Sequence, residues 1–265
     1  MVKRVLNREI KVVLPVEDAV EETRAVPTES AKTFGEEVYR LLRRDILSGR
    51  LLPGNKLPFR QLAQNYNFGI APLREALSKL ASERLVLFEG QRGFTVAPVS
   101  LEELHDVCGL WSTLSVESLT MAIERGDANW EADILAALHR LHRTPLPASP
   151  SDYEAIEKWE RLHKQFHMSL IAACESPWRL HFCSILSDQF ERYRRVMLMR
   201  MATSEPTARK VDEEHRQIAE AAVERDSDRA PRLLADHFAE SGSYVAAQFE
   251  SLAPQKQKHA RGASR

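Results

Sequence analysis

The sequence predicts a mainly α-helical chain of two units: three short helices closed by a β-hairpin, followed by an all-α helical bundle. Three observations predict it. Over residues 71–96 a helical stripe of Leu73, Ala76, Leu77, Leu80 and Ala81 gives way to two β-prone runs, Leu85-Val86-Leu87-Phe88 and Phe94-Thr95-Val96, joined by a glycine-bounded turn. From Ser100 onward apolar residues recur almost wholly at helical spacing. Charge is also divided, since residues 33–98 carry a net +4 and residues 99–252 a net −9. A basic unit joined to an acidic one suits a nucleic-acid module attached to a domain that does not itself bind phosphate.

In order along the chain, residues 1–32 are balanced in charge, contain Pro15 and Pro27 and show no sustained period, which predicts a flexible arm. A first helix is expected at about 35–48, with Val38, Leu41, Leu42 and Ile46 as its apolar stripe and Gly49 as its stop. Leu52-Pro53-Gly54 is a turn, and 57–66 is a second helix with Leu62 and Ala63 inward. The third helix runs from about 71, with Pro72 tolerated in its first turn and Arg74, Ser78 and Lys79 pointing outward. The hairpin that follows carries a cation, Arg92, in its Glu89-Gly90-Gln91-Arg92-Gly93 turn and has the form of a wing. Bundle helices are expected at about 101–125, 128–142, 151–175, 177–202, 206–225 and 227–251. Pro145, Pro147, Pro150, Ser176-Pro177, Glu205-Pro206 and Arg225-Asp226-Ser227-Asp228 mark the breaks. A basic tail, 252–265, closes the chain.

The 265 residues suffice for two domains, divided here at about residue 99. No apolar run approaches the eighteen or so residues of a membrane span and no signal peptide is apparent, so a cytoplasmic protein with no membrane partner is expected. Cys108, Cys174 and Cys183 are odd in number, form no Cys-x-x-Cys pair and read as core thiols.

The segment GRLLPGNKLPFRQLAQNYNFGIAPLREALSKLASERLVLFEGQRGFTV resembles the winged helix-turn-helix of the GntR family of bacterial transcription regulators. Gly49, Leu51, Pro53, Gly54, Leu57, Leu62, Ala63, Pro72, Arg74, Glu75, Ala76, Leu77, Arg92, Gly93 and Val96 match its signature. The resemblance implies double-stranded DNA as partner, with contacts from Arg60, Arg74, Arg92 and Gly93. The usual Ser-Arg-Thr ahead of Pro72 is replaced by Gly69-Ile70-Ala71, so Gly69 and Ala71 join the DNA-facing set while base preference is altered.

Within the bundle four histidines fall on apolar seams: His163 with Trp159, Phe166 and Leu170; His167 with Leu170 and Ile171; His215 with Val211, Ile218 and Ala222; His237 with Leu233, Leu234 and Tyr244. His163 and His167, four apart, stack on one helix face roughly 6 Å from each other, a spacing at which two imidazoles share a metal. Burying several imidazoles is costly unless each finds a partner, and one divalent cation serves them all. Taken singly, each reads first as a hydrogen-bonded core histidine, and it is the four together that point to a metal. His105, His139, His142, His181 and His259 read as surface or local packing residues.

HKQFHMSL, EEHRQIAEA and LLADHF resemble the three ligand-bearing segments of the FCD domain, the effector domain of FadR-type GntR regulators. That resemblance implies a divalent metal, zinc ahead of nickel or manganese, held by His163, His167, His215 and His237. His163 stands where most relatives have aspartate, which would leave a more positive metal, attractive to an anionic effector. On the helix from about 177, Ile185, Gln189, Arg192 and Val196 follow 4-3-4 spacing, so Gln189 and Arg192 interrupt an apolar seam. They are expected to clamp a carboxylate, either an internal acid or a bound organic acid. Phe182 to Arg194 resembles the carbon-starvation-induced repressor branch, which implies a small dicarboxylate effector. The whole then predicts a homodimeric repressor of a near-palindromic operator, controlled by a carboxylate at a metal site. Two rivals are a repressor with a structural or sensed metal, and a bundle metallohydrolase, which lacks an evident carboxylate base beside His163 or His167.

Overall fold

The computed structural model describes residues 34–147, 149, 152–201 and 205–252. The flexible arm expected at 1–32 and the basic tail past 252 lie outside the described residues. Helix α1 (Phe34–Leu47), α2 (Phe59–Tyr66) and α3 (Ile70–Ser82) precede strands β1 (Val86–Phe88) and β2 (Phe94–Val96). The strands pair antiparallel with Val86 opposite Val96 and Phe88 opposite Phe94. Gly93, at φ 82°, takes the left-handed turn conformation that a side chain disfavours. Val38, Leu42 and Ile46 of α1 close over Leu73, Leu77 and Leu80 of α3, with Leu62, Val86, Phe94 and Val96 completing a separate core. The expected apolar stripes therefore face one centre except at Leu41, which is half-buried and lines the cleft between α1 and the bundle.

The remainder is α4 (Leu101–Arg125), α5 (Ala128–His142), α6 (Tyr153–Ile171), α7 (Pro177–Met201), α8 (Glu205–Val223) and α9 (Arg229–Leu252). The starts of α4, α5 and α6 have a local cause. Ser100 accepts from the Glu103 amide, Asp127 from those of Asn129 and Trp130, and Asp152 from that of Ala155, satisfying donors that the first turn leaves unpaired. The expected helix 151–175 is shorter: α6 ends at Ile171, a 3-10 turn spans Ala172–Cys174, and Glu175 takes a left-handed φ of 55° before Pro177 starts α7. Leu104, Trp111, Leu119, Ile134, Phe166, Leu170, Phe190, Ile218, Leu234 and Phe249 are buried in the bundle's own core. Cys174 and Cys183 are buried and Cys108 half-buried, all as free thiols.

The two cores meet along α7. Arg192, 5% exposed, donates Nη2 to the carbonyls of Ala97 and Pro98 in the connecting segment and Nη1 to Gln189 Oε1 at 2.8 Å. Gln189 Nε2 donates in turn to the Glu83 carbonyl at the end of α3, at 2.6 Å. Asp188 accepts from Arg43 on α1 and from Lys164 on α6 at 2.5 Å. A cleft of about 730 Å³ opens beside these groups, between α1 and the pair α6 and α7.

Candidate metal centre and nucleic-acid interface

The 3.6-residue period of α6 puts His163 and His167 on one buried face, while His215 arrives from α8 and His237 from α9. One ring nitrogen from each lies within 4.8 Å of those of the other three, and all four side chains are buried. The Nε2 atoms of His163 and His167 are 3.2 Å apart. The histidine seams therefore converge, and His163 sits with the other three.

Among the described residues His163 Nδ1, His167 Nδ1 and both ring nitrogens of His215 are buried without a hydrogen-bond partner. His237 Nδ1 lies 2.8 Å from Glu214 Oε2. A carboxylate only accepts, so the hydrogen sits on Nδ1 and the Nε2 lone pair of His237 is left free, the arrangement by which a carboxylate orients a ligating imidazole. Burial, and after it the charges of Arg194 and the neighbouring rings, holds His163 well below the ordinary histidine range. Burial also lowers His167 and His215, with His237 the next cause. Three buried imidazoles with unpaired nitrogens, and a fourth oriented by Glu214, fit a borderline divalent cation such as zinc.

Arg194 of α7 reaches the same place. Its Nε donates to both carboxylate oxygens of Glu160 at 3.0 Å and its Nη2 to Oε2, each side chain being 3% exposed. Together with Trp111, Trp159, His163, His167 and His237, Arg194 lines a cavity of about 20 Å³, the room of a single water. Gln189 and Arg192, expected to clamp the effector here, reach toward the winged unit, with Gln189 Nε2 bonded to Glu83, Arg192 Nη2 to Ala97 and Pro98, and Arg192 Nε buried without a partner among the described residues. The pattern Cys183, Ser187, Phe190, Arg194 has the same 4-3-4 spacing as Ile185, Gln189, Arg192, Val196, and Cys183, Ser187, Phe190 and Arg194 are all buried. That second seam was the available signal for Arg194. Glu160, three residues before His163, and Glu214, beside His215, carried none.

On the winged unit the predicted DNA-facing residues share an accessible region. Arg60, Gly69, Ala71, Arg74 and Arg92 are exposed and Gly93 half-exposed. Arg74 lies over the Phe59 ring at 5.2 Å and Phe59 meets Phe94 edge-on at 5.8 Å, which brings α3, the start of α2 and the hairpin to one surface. Among the described residues neither Arg60 nor Arg74 is paired with a carboxylate, while Arg92 has only Glu89 at 3.8 Å. Three cations near a helix-turn-helix suit phosphate.

Residues 34–96 match the family described as "Bacterial regulatory proteins, gntR family" and residues 109–240 match the FCD domain. The "Uncharacterized HTH-type transcriptional regulator BphR" of Paraburkholderia xenovorans (strain LB400) is 37% identical over 227 residues, covering 86% of this chain and 91% of the relative. The HTH-type transcriptional repressor GlaR of Escherichia coli (strain K12) is 35% identical over 200 residues, 76% of this chain and 90% of that protein. In fold, E. coli McbR/YncC is similar with a TM-score of 0.66 at 19% identity, covering 83% of this chain and all of that one. Among the described residues no helix is long and apolar enough to cross a membrane.

Proposed function

Since the chain belongs to the GntR family, in the FadR-type group that joins a helix-turn-helix to an FCD domain, it is a DNA-binding transcriptional regulator rather than an enzyme, and we propose that it is a repressor released by a small carboxylate bound at a zinc site in the bundle. The observation that carries this reading is the convergence of Arg194 on the four-histidine cluster. His163, His167, His215 and His237 would hold the metal, which would supply a fixed positive charge attractive to an anion. All four proposed ligands are neutral, so none of them cancels that charge. Arg194 supplies the planar, bidentate donor that a carboxylate matches.

DNA binding is assigned to Arg60, Gly69, Ala71, Arg74, Arg92 and Gly93, with backbone and phosphate contacts dominating affinity. A second copy of the chain is assigned to the face where Leu110 of α4 and Trp178 and Phe182 of α7 stand 51%, 72% and 47% exposed, apolar groups that a lone monomer leaves in water. A two-fold dimer would present its winged units to half-sites about one helical turn apart.

One observation favours a second reading, in which the metal only staples the bundle. The 20 Å³ cavity takes a water, and an organic acid enters only if side chains around it move. The two readings part in one experiment: binding of the zinc-loaded protein to the DNA upstream of its own gene at fixed salt, with a panel of mono- and dicarboxylates. Weakening by one acid of at least tenfold, about 1.4 kcal/mol of coupling, supports the gated repressor. Tight binding indifferent to every acid assigns the metal to structure.

A further inference from the structure

The first turn of α3 has an unusual surface for a helix that meets DNA. Ile70 opens the helix and is 54% exposed. Its neighbours Gly69, Ala71 and Pro72 offer no hydrogen-bonding side chain, and Gly69 provides no side-chain cap. The next outward residue one turn along, Arg74, lies over Phe59 beside the exposed Arg60. An apolar tip is thus held at the front of a cationic surface. The other strongly exposed apolar side chain of this unit, Phe88, at 62%, rests against Phe94 with ring centroids 4.9 Å apart.

A β-branched side chain in a helix is confined largely to one χ1 rotamer, so the Ile70 methyls form a rigid probe. On the major-groove edges of the four base pairs the groups that project are hydrogen-bond donors or acceptors, apart from the C5-methyl of thymine and the much smaller C5–H of cytosine. Pressed against guanine O6 and N7 or the cytosine amino group, Ile70 would strip water and return no hydrogen bond. Against the thymine methyl it loses nothing and buries apolar surface. We infer that Ile70 is a specificity-determining residue that selects thymine, through its C5-methyl, at one position of each operator half-site. This inference rests on the DNA-binding reading above.

The test uses the full-length zinc-loaded protein and duplexes enriched by it from a random pool. Deoxyuridine, which differs from thymidine in that methyl alone, is substituted for thymidine position by position and the affinity measured by fluorescence anisotropy. One symmetric position is expected to lose roughly fourfold per half-site, the worth of one methyl group. The Ile70→Ala protein, altered at an exposed side chain, is expected to bind the thymidine duplex about as weakly as wild type binds the uridine one, and to be indifferent to the exchange. Equal binding by wild type at every uridine position overturns the inference while the DNA-binding reading stands. So does an Ile70→Ala protein that remains as sensitive to uridine as wild type. Failure to enrich any duplex removes both.

Discussion

The Arg194–Glu160 pair permits a quantitative test of the cavity. Both side chains are 3% exposed, and the guanidinium Nε is 3.0 Å from each carboxylate oxygen. At an effective dielectric constant of about 20 their attraction is roughly 5 kcal/mol, set against a desolvation cost of similar size. The pair as a whole therefore adds little stability, but either charge left alone is expensive. Arg194→Met should cost about 3–5 kcal/mol by stranding Glu160, Glu160→Met should cost about as much by stranding Arg194, and the double variant should cost far less than their sum.

The assay is equilibrium urea unfolding at fixed zinc and protein concentration, because both are linked to stability. Tryptophan fluorescence isolates the bundle, since Trp111, Trp130, Trp159 and Trp178 all lie within it. Additive costs in the double variant, or single variants that cost less than about 1 kcal/mol, refute the buried pair. The same double variant should keep zinc and operator affinity yet lose its response to the acid. An unchanged acid response in that protein removes Arg194 from the effector site.

Two further predictions concern the metal and the cleft. Chelation should lower the melting temperature of the bundle by about 5–10 °C from a state in which zinc stands a hundredfold above its Kd, a contribution of about 2.7 kcal/mol, and His215→Ala should abolish the difference between chelated and zinc-loaded protein. A wild-type melting temperature indifferent to chelator contradicts the metal site. Glu191 is pushed up to about 8 by burial and then by the nearby Glu160 and Asp188. An acid whose folded pKa is raised stabilises the fold below its ordinary value of 4.5 and loses that contribution as pH rises through 8, so the folded state carries an ionised, destabilising Glu191 at pH 9. Glu191→Gln should then melt roughly 2–4 °C above wild type at pH 9 for each kcal/mol relieved and match it at pH 4, as followed by circular dichroism. An equal difference at both pH values excludes the titration as its cause.

The elements were legible because their signals were local. Val38, Leu42 and Ile46, the Phe94-Thr95-Val96 run and the four histidine seams each repeat at one period with one buried face, and Gly49 and Pro177 fix where helices stop or start. Effector-side geometry on α7 was not legible for the converse reason. That helix is buried both toward the bundle core, through Phe190 and Arg194, and toward the winged unit, through Asp188, Gln189 and Arg192, so periodicity marks two seams and ranks neither. Burial of Glu160 depends on a partner 34 residues away, and α6 stops at Ile171 because of a left-handed Glu175 that the intervening Ala172-Ala173-Cys174 does not announce.

The same two-sidedness gives α7 its place in the proposed regulation. Arg192 and Arg194 are two residues apart, hence about 200° apart around the helix, one bound to the carbonyls of the connecting segment and the other lining the histidine cavity. An acid that enters a 20 Å³ cavity must displace side chains, and Arg194 is the one whose partner, Glu160, competes with it for the same guanidinium. A small rotation of α7 that turned Arg194 toward the acid would carry Arg192 and Gln189 with it, because a hydrogen-bonded helix moves as a rigid body. The bonds at Glu83, Ala97 and Pro98 would then be strained or exchanged, shifting the winged unit against the bundle. Tenfold release of the operator needs only about 1.4 kcal/mol of difference between the two arrangements, within what one or two buried charge-assisted hydrogen bonds supply. Coupling of the required size is therefore available from α7 alone, without any change in the fold of either unit.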